Sequence, residues 1–273
     1  MIQLNNVNIN EENNLNINKN QHIYNKDLDF LKSQLNNYDL SNKVYDINET
    51  ILGSTNLTSY YEENEITLDC GKRLCGVFFK FGGEIGHGKI YYPDYSVYTG
   101  AWINFKAFGM GQKVFLNNAT YKGEFENDLY CGLGTLINEE LNEFYGKWKQ
   151  NKKEGNFFIR FQNGDSFEGI YEDDIKSGYG IHIFKDGSTY KGVYKNDQWD
   201  GIGKFLNKYG VHHEGNFLNG ELHGNCIVID TTGAKLLINY NNNKADGIGK
   251  LYINDNKYQV IYKNGKLITK YKT

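Results

Sequence analysis

The chain has 273 residues, a formal net charge of −3, 15% aromatic residues and a single proline. A balance this close to neutral excludes the strongly basic face that nucleic-acid binding requires, and no run approaches the ~20 apolar residues of a membrane span. Cys70, Cys75, Cys131 and Cys226 lack paired metal-ligand spacing and fit a reducing compartment. The opening "MIQLNNVNIN" has no apolar signal region, so a soluble, cytoplasmic protein is expected.

Residues 1–58 read as an N-terminal extension. Its first 25 residues are Asn-rich with no persistent period, and are expected to be disordered or to order on a partner. Over 27–37, "DLDFLKSQLNN" predicts a short helix with Leu28, Leu31 and Leu35 on one face. Charge divides unevenly: residues 1–73 hold 6 basic and 11 acidic groups, a net of −5. Over 59–73 the pattern becomes strand-like. Glu65–Leu68 can pair with Leu74–Phe79 across a turn near Cys70-Gly71, capping the first edge of a longer array.

That array is a repeat, with a period of about 23 residues over 74–257. The clearest stretch is Gly178–Tyr194, "GYGIHIFKDGSTYKGVY", which reads as strand, turn, strand. Asp186-Gly187 between two such runs predicts a hairpin with a type I′ turn. Tyr98-x-Gly100-x-Trp102 leads to Gly109 and Gly111, and Tyr121-x-Gly123-x-Phe125 to Gly132 and Gly134. Phe144-x-Gly146-x-Trp148 reaches Gly155 and then Phe157, and Phe167-x-Gly169-x-Tyr171 leads to Gly178 and Gly180. Tyr190-x-Gly192-x-Tyr194 leads to Gly201 and Gly203. Flanking copies begin at Leu74, His213 and Leu236, making eight, and Tyr258-x-Val260-x-Tyr262 opens a closing hairpin over 258–273. Turn residues punctuate each copy, as at Asn127-Asp128, Asp173-Asp174 and Asn196-Asp197.

The pleat explains the spacing. Tyr190, Gly192 and Tyr194 share one face, and two rings can lie over the backbone only if the residue between them has no side chain. The prediction is an all-β fold: an elongated, twisted, single antiparallel sheet of tandem β-hairpins, an open meander of roughly sixteen to eighteen strands. Phe157, Cys226, Ile238 and Val260 stand where glycine is expected and interrupt the ring-over-glycine pattern.

This array resembles the MORN family (membrane occupation and recognition nexus repeats). The resemblance implies a non-enzymatic scaffold or adaptor that binds protein partners in a cytoskeletal or ciliary (axonemal) assembly, with homodimers among such proteins. The alternative is a membrane-associated module recognising anionic phospholipid surfaces. No cofactor or metal is expected. The recurring Gly-x-Gly has no helix after it to cradle phosphate. Asp200, His223 and Asp246 recur one repeat apart, at about 10 Å, too far to share one ion. The expected partner-binding stripe is Trp102, Phe125, Trp148, Tyr171 and Tyr194, and the expected anionic-surface contact is Lys147, Lys149, Lys152 and Lys153.

Overall fold

The computed structural model describes residues 61–79 and 84–273, all within the unit Asn56–Thr273. The extension expected over 1–58, with its helix at 27–37, lies outside the described residues. Among the described residues there are nineteen strands and no helix. The first seven are β1 Tyr61–Thr67, β2 Arg73–Phe79, β3 Gly86–Tyr91, β4 Val97–Ile103, β5 Lys106–Val114, β6 Thr120–Glu126 and β7 Leu129–Ile137. The next six are β8 Glu143–Lys149, β9 Lys152–Arg160, β10 Ser166–Glu172, β11 Ile175–Ile183, β12 Thr189–Lys195 and β13 Gln198–Leu206. The last six are β14 His212–Leu218, β15 Glu221–Ile229, β16 Lys235–Asn241, β17 Lys244–Ile253, β18 Asn256–Lys263 and β19 Lys266–Lys272. Each strand pairs antiparallel with the next in sequence, so the sheet is one open meander. The eight repeats supply β2–β17, and β1, β18 and β19 flank them, one strand more than the upper end of the expected count.

Two kinds of turn alternate. Inside a repeat, both central residues are left-handed, as at Asn127 and Asp128 (φ 53° and 71°) or Asn196 and Asp197 (φ 51° and 65°). These are the type I′ hairpins. Between repeats the loop has three residues, and only the last is left-handed. At Asp186-Gly187 the hairpin is present but the turn type differs from expectation: Gly187 alone has positive φ, at 87°. The loop is closed by Phe184 N–H to the Ser188 carbonyl at 2.9 Å, and the Asp186 carboxylate accepts from the Ser188 N–H at 2.9 Å.

The within-repeat turns also join neighbouring repeats. The Asp197 carboxylate accepts from the Lys176 N–H at 2.9 Å, while the Asp197 N–H donates to the Lys176 carbonyl at 3.2 Å. The same two-point clamp links Asp174 to Lys153, Asn151 to Tyr130 and Asn243 to Leu222. Asn and Asp thus serve twice, tolerating φ > 0 and reaching back one repeat.

The two glycines of Gly-x-Gly do different work. Gly192 faces Gly203 and Tyr194 faces Trp199, so Asp200, Gly201 and Ile202 bulge opposite Val193. Gly201 takes φ 111° in that bulge, which bends the strand and adds twist. The second glycine belongs to a row that crosses the sheet: Gly180, Gly192, Gly203 and Gly215 face one another in successive strands. Over this row lie the rings. A Cβ on Gly192 would stand 2.5 Å from the Tyr190 hydroxyl and 2.6 Å from the Gly203 Cα.

Where the glycine is replaced, the replacing side chain takes the ring's place. Phe157 lies against Gly146 and is buried, while Phe144 is left half-buried. Cys226 does the same over Gly215, and Ile238 over Gly249, with His213 and Leu236 pushed outward to half-buried positions. The space above the glycine row is therefore still occupied where the motif is broken, by a ring, a thiol or an aliphatic side chain from the paired strand.

The rings form a continuous edge-to-face series. Centroids are 5.1 Å apart for Tyr121–Phe125, 5.7 Å for Tyr121–Trp148, 5.3 Å for Trp148–Phe157 and 5.5 Å for Phe157–Tyr171. The series continues through Phe167, Tyr194 and Tyr190 to Phe217. A second layer covers it. Tyr130 stacks on Tyr121 at 3.7 Å, and Trp199 on Tyr190 at 4.0 Å. At the same repeat position Lys176 lies over Phe167 at 4.4 Å, and Lys153 over Tyr171 at 5.1 Å. A single sheet hides its core here because each repeat supplies its own lid.

Candidate partner-binding surface

The ring stripe is interior. Trp102, Phe125, Trp148, Tyr171 and Tyr194 are 0%, 2%, 4%, 4% and 3% exposed. Sequence alone offered these rings to a partner; the structure gives their surface to neighbouring rings and lids instead. The lids carry no sequence signature because their position is chemically varied: Ala107, Tyr130, Lys153, Lys176, Trp199, Leu222 and Ala245. Only the 23-residue spacing could have found them.

The four lysines expected at an anionic surface are likewise divided. Lys153 faces Trp148 across the hairpin, sits over the rings and pairs with Asp174 at 2.9 Å. Lys149 faces Lys152, on the other side of the sheet with exposed Lys147, and Lys152 pairs with Asp173 at 3.3 Å. Burial among the rings pushes the Lys176 ammonium below its ordinary range.

A tighter charged cluster holds the start of the array. The Asp128 carboxylate accepts from Lys72 Nζ at 2.6 Å, from the Tyr92 hydroxyl at 2.6 Å and from the Ala107 N–H at 2.8 Å. Burial alone would raise its pKa, but those three hydrogen bonds and the Lys72 charge together hold it below the ordinary carboxylate value. A depressed folded pKa stabilises the fold above the unfolded value, and that stabilisation is lost as pH falls through the folded pKa. Asp128→Asn should therefore cost roughly 2 kcal/mol at neutral pH. In thermal melts its deficit against wild type should shrink below about pH 4. A deficit unchanged down to about pH 3 would remove the charged pair from the account.

With the rings covered, the opposite face is the candidate surface. Strand alternation places Tyr145, Phe158, Arg160, Ile170, Ile181 and Ile183 there. Tyr145 faces Phe158 across β8–β9 with ring centroids 6.3 Å apart, and the Arg160 guanidinium lies 5.4 Å from the Phe158 ring. Glu143 ties the group together, accepting from the Tyr145 hydroxyl at 2.6 Å and from Arg160 at 3.3 Å. Burial, then the Glu143 hydrogen bond, push the Tyr145 hydroxyl up to about 12, so it stays a donor at neutral pH. One row of the sheet runs Arg160, Ser166, Ile183, and the next runs Phe158, Glu168, Ile181. Farther along, Ile202 and Ile248, the middle residues of two Gly-x-Gly segments, are 58% and 66% exposed. Aromatic and arginine anchors beside exposed aliphatic side chains have the composition of an interface centre.

Among the described residues, no group of three or more His, Cys, Asp or Glu is placed to hold a metal. His213 is half-buried on the ring face, and burial lowers its pKa. An open cleft between the loops at Glu139–Asn142 and Phe161–Asn163 is lined by Glu139, Glu140, Leu141, Asn142, Phe161, Gln162 and Asn163, with no nucleophile–base pair.

The fold defines a tandem β-hairpin repeat protein. The MORN repeat model matches residues 121–138, 167–189, 190–207 and 213–235, and the chain is a MORN-repeat protein. MORN repeats are generally non-enzymatic binding modules. Comparison with curated proteins gives no match. Among solved structures, the chain is similar to the TCP domain of SAS-4 (dCPAP) of Drosophila melanogaster, in complex with a proline-rich motif of Ana2 (dSTIL). The identity is 13%, covering 65% of this chain and 90% of that one, with a TM-score of 0.37. It is also similar to the wild-type TCP10 domain of Danio rerio CPAP at 12% identity, covering 77% of this chain and 100% of that one, with a TM-score of 0.34. Scores this low leave the family assignment to the repeat model.

Proposed function

We propose that this chain is a non-enzymatic scaffold that binds protein partners through the face opposite its aromatic core, in a cytoskeletal or axonemal assembly of the cytoplasm. One observation carries the choice of surface: the ring face is sealed by its own lids, while the other face groups Tyr145, Phe158 and Arg160 beside exposed Ile183. The cytoskeletal setting rests on the family resemblance, and a pull-down from a cytoskeletal fraction tests it.

Arg160→Ala combined with Ile183→Ser should leave the melting temperature within a few degrees of wild type, because both side chains are exposed. The same variant should weaken capture of the partner by about thirtyfold or more, about 2 kcal/mol. Unchanged capture would move the interface off this face. Vesicles of anionic phospholipid form the control. Sedimentation with them that is lost at high salt would favour the membrane reading instead.

A further inference from the structure

The sheet is open, and its two edges carry opposite charge. β1, "YEENEIT", contributes Glu62, Glu63 and Glu65 with no basic residue, whereas β19, "KLITKYK", contributes Lys266, Lys270 and Lys272 with no acidic one. Each strand has seven residues. Among the described residues each pairs on one side only, β1 with β2 and β19 with β18. Glu65 is engaged by Arg73 at 3.0 Å and Lys270 lies over the Tyr258 ring at 4.1 Å, leaving Glu62, Glu63, Lys266 and Lys272 without an ion-pair partner among the described residues.

An unpaired edge presents a row of free backbone N–H and C=O groups that templates a further strand. Lysines on such an edge ordinarily keep it from pairing with itself. Here the two edges differ in sign, so the same charges act selectively. Lysine edge against lysine edge and glutamate edge against glutamate edge are repelled, while unlike edges attract. We infer that the outer edge of β19 in one copy takes β1 of a second copy, a head-to-tail contact between identical chains.

Topology fixes how that contact is made. In a nineteen-strand meander β1 and β19 run in the same direction. Keeping the aromatic faces of two copies on one side therefore sets β19 parallel to the incoming β1. A tail-to-tail pair of β19 strands would be antiparallel and would stop at a dimer. The head-to-tail contact uses two different surfaces and leaves an open edge at each end, so it extends to chains of copies.

The test uses sedimentation velocity of the full chain over a range of concentrations, at about 50 mM and about 500 mM salt. The expected result is concentration-dependent species that grow beyond a dimer, with association weakened about tenfold at the higher salt. Glu62→Lys with Glu63→Lys should abolish growth, and so should Lys266→Glu with Lys272→Glu. An equimolar mixture of those two variants should restore it, because each then offers edges that the other complements. The wild-type salt series stands even if a variant fails to fold. A strict monomer at about 100 μM in low salt overturns the inference. So does a dimer strengthened by acidifying β19, which is the tail-to-tail outcome, or a mixture that fails to associate.

Discussion

Gly192→Val is expected to destabilise the array by about 3–5 kcal/mol, more than overpacking of an ordinary core position. Two obstacles meet the new side chain. Its Cβ would lie 2.6 Å from the Gly203 Cα in the paired strand, which cannot retreat without breaking the ladder. It would also lie 2.5 Å from the Tyr190 hydroxyl, so the ring must leave. With the ring go its stack on Trp199 at 4.0 Å, its edge contacts with Tyr194 and Phe217 at 5.4 Å and 5.2 Å, and the hydroxyl's hydrogen bond to the Val193 carbonyl. A chemical melt at the wild-type midpoint would refute the packing account.

The facing glycine should behave differently. At Gly203 the three nearest atoms in the way belong to the Tyr190 side chain. Gly203→Cys alone should destabilise, but Gly203→Cys with Tyr190→His reproduces the arrangement already present at His213, Gly215 and Cys226. The pair should recover at least about half of the single variant's loss, a coupling measured by a double-mutant cycle. Tyr190→His should give Gly192→Val no comparable recovery, since the Gly203 backbone remains in its way.

These contrasts mark what sequence could and could not convey. The period, the shared face of Tyr190, Gly192 and Tyr194, and the hairpins at Asn196-Asp197 follow from local chemistry, because pleat and left-handed turns constrain residue type at fixed spacing. The interruptions at Phe157 and Cys226 looked like defects because a motif records residue identity, whereas the site constrains volume shared between two strands. Lys153 looked like a surface charge because its role depends on Tyr171, a ring supplied by the next repeat. The grouping of Tyr145, Phe158 and Arg160 was equally hidden. They sit on adjacent strands at positions where other repeats carry Lys122, Thr135 and Val114. Exposure of the stripe was misjudged for the same reason: burial comes from the lid layer, and no rule of residue type identifies a lid filled by Ala, Tyr, Lys, Trp or Leu.

Trp148→Ala is the second large effect, and it separates a ring that holds the fold from one that greets a partner. Trp148 is 4% exposed and sits at a junction of the series, with Tyr121 at 5.7 Å, Tyr130 at 5.8 Å and Phe157 at 5.3 Å. Its indole Nε1 donates to the Gly134 carbonyl at 3.1 Å. Removing it opens a cavity at the centre of the array, with an expected cost of about 3–5 kcal/mol and a melting temperature lowered by roughly 10 °C. Repeat arrays are held by nearest-neighbour contacts. The loss of hydrogen-exchange protection should therefore concentrate in β6–β10 and fade towards β16. Adding Tyr171→Ala should deepen the loss, since both rings touch Phe157. Partner capture by either variant, corrected for the folded fraction, should match wild type. A Trp148→Ala protein that kept its melting temperature and protection but lost its partner would return the ring stripe to the surface.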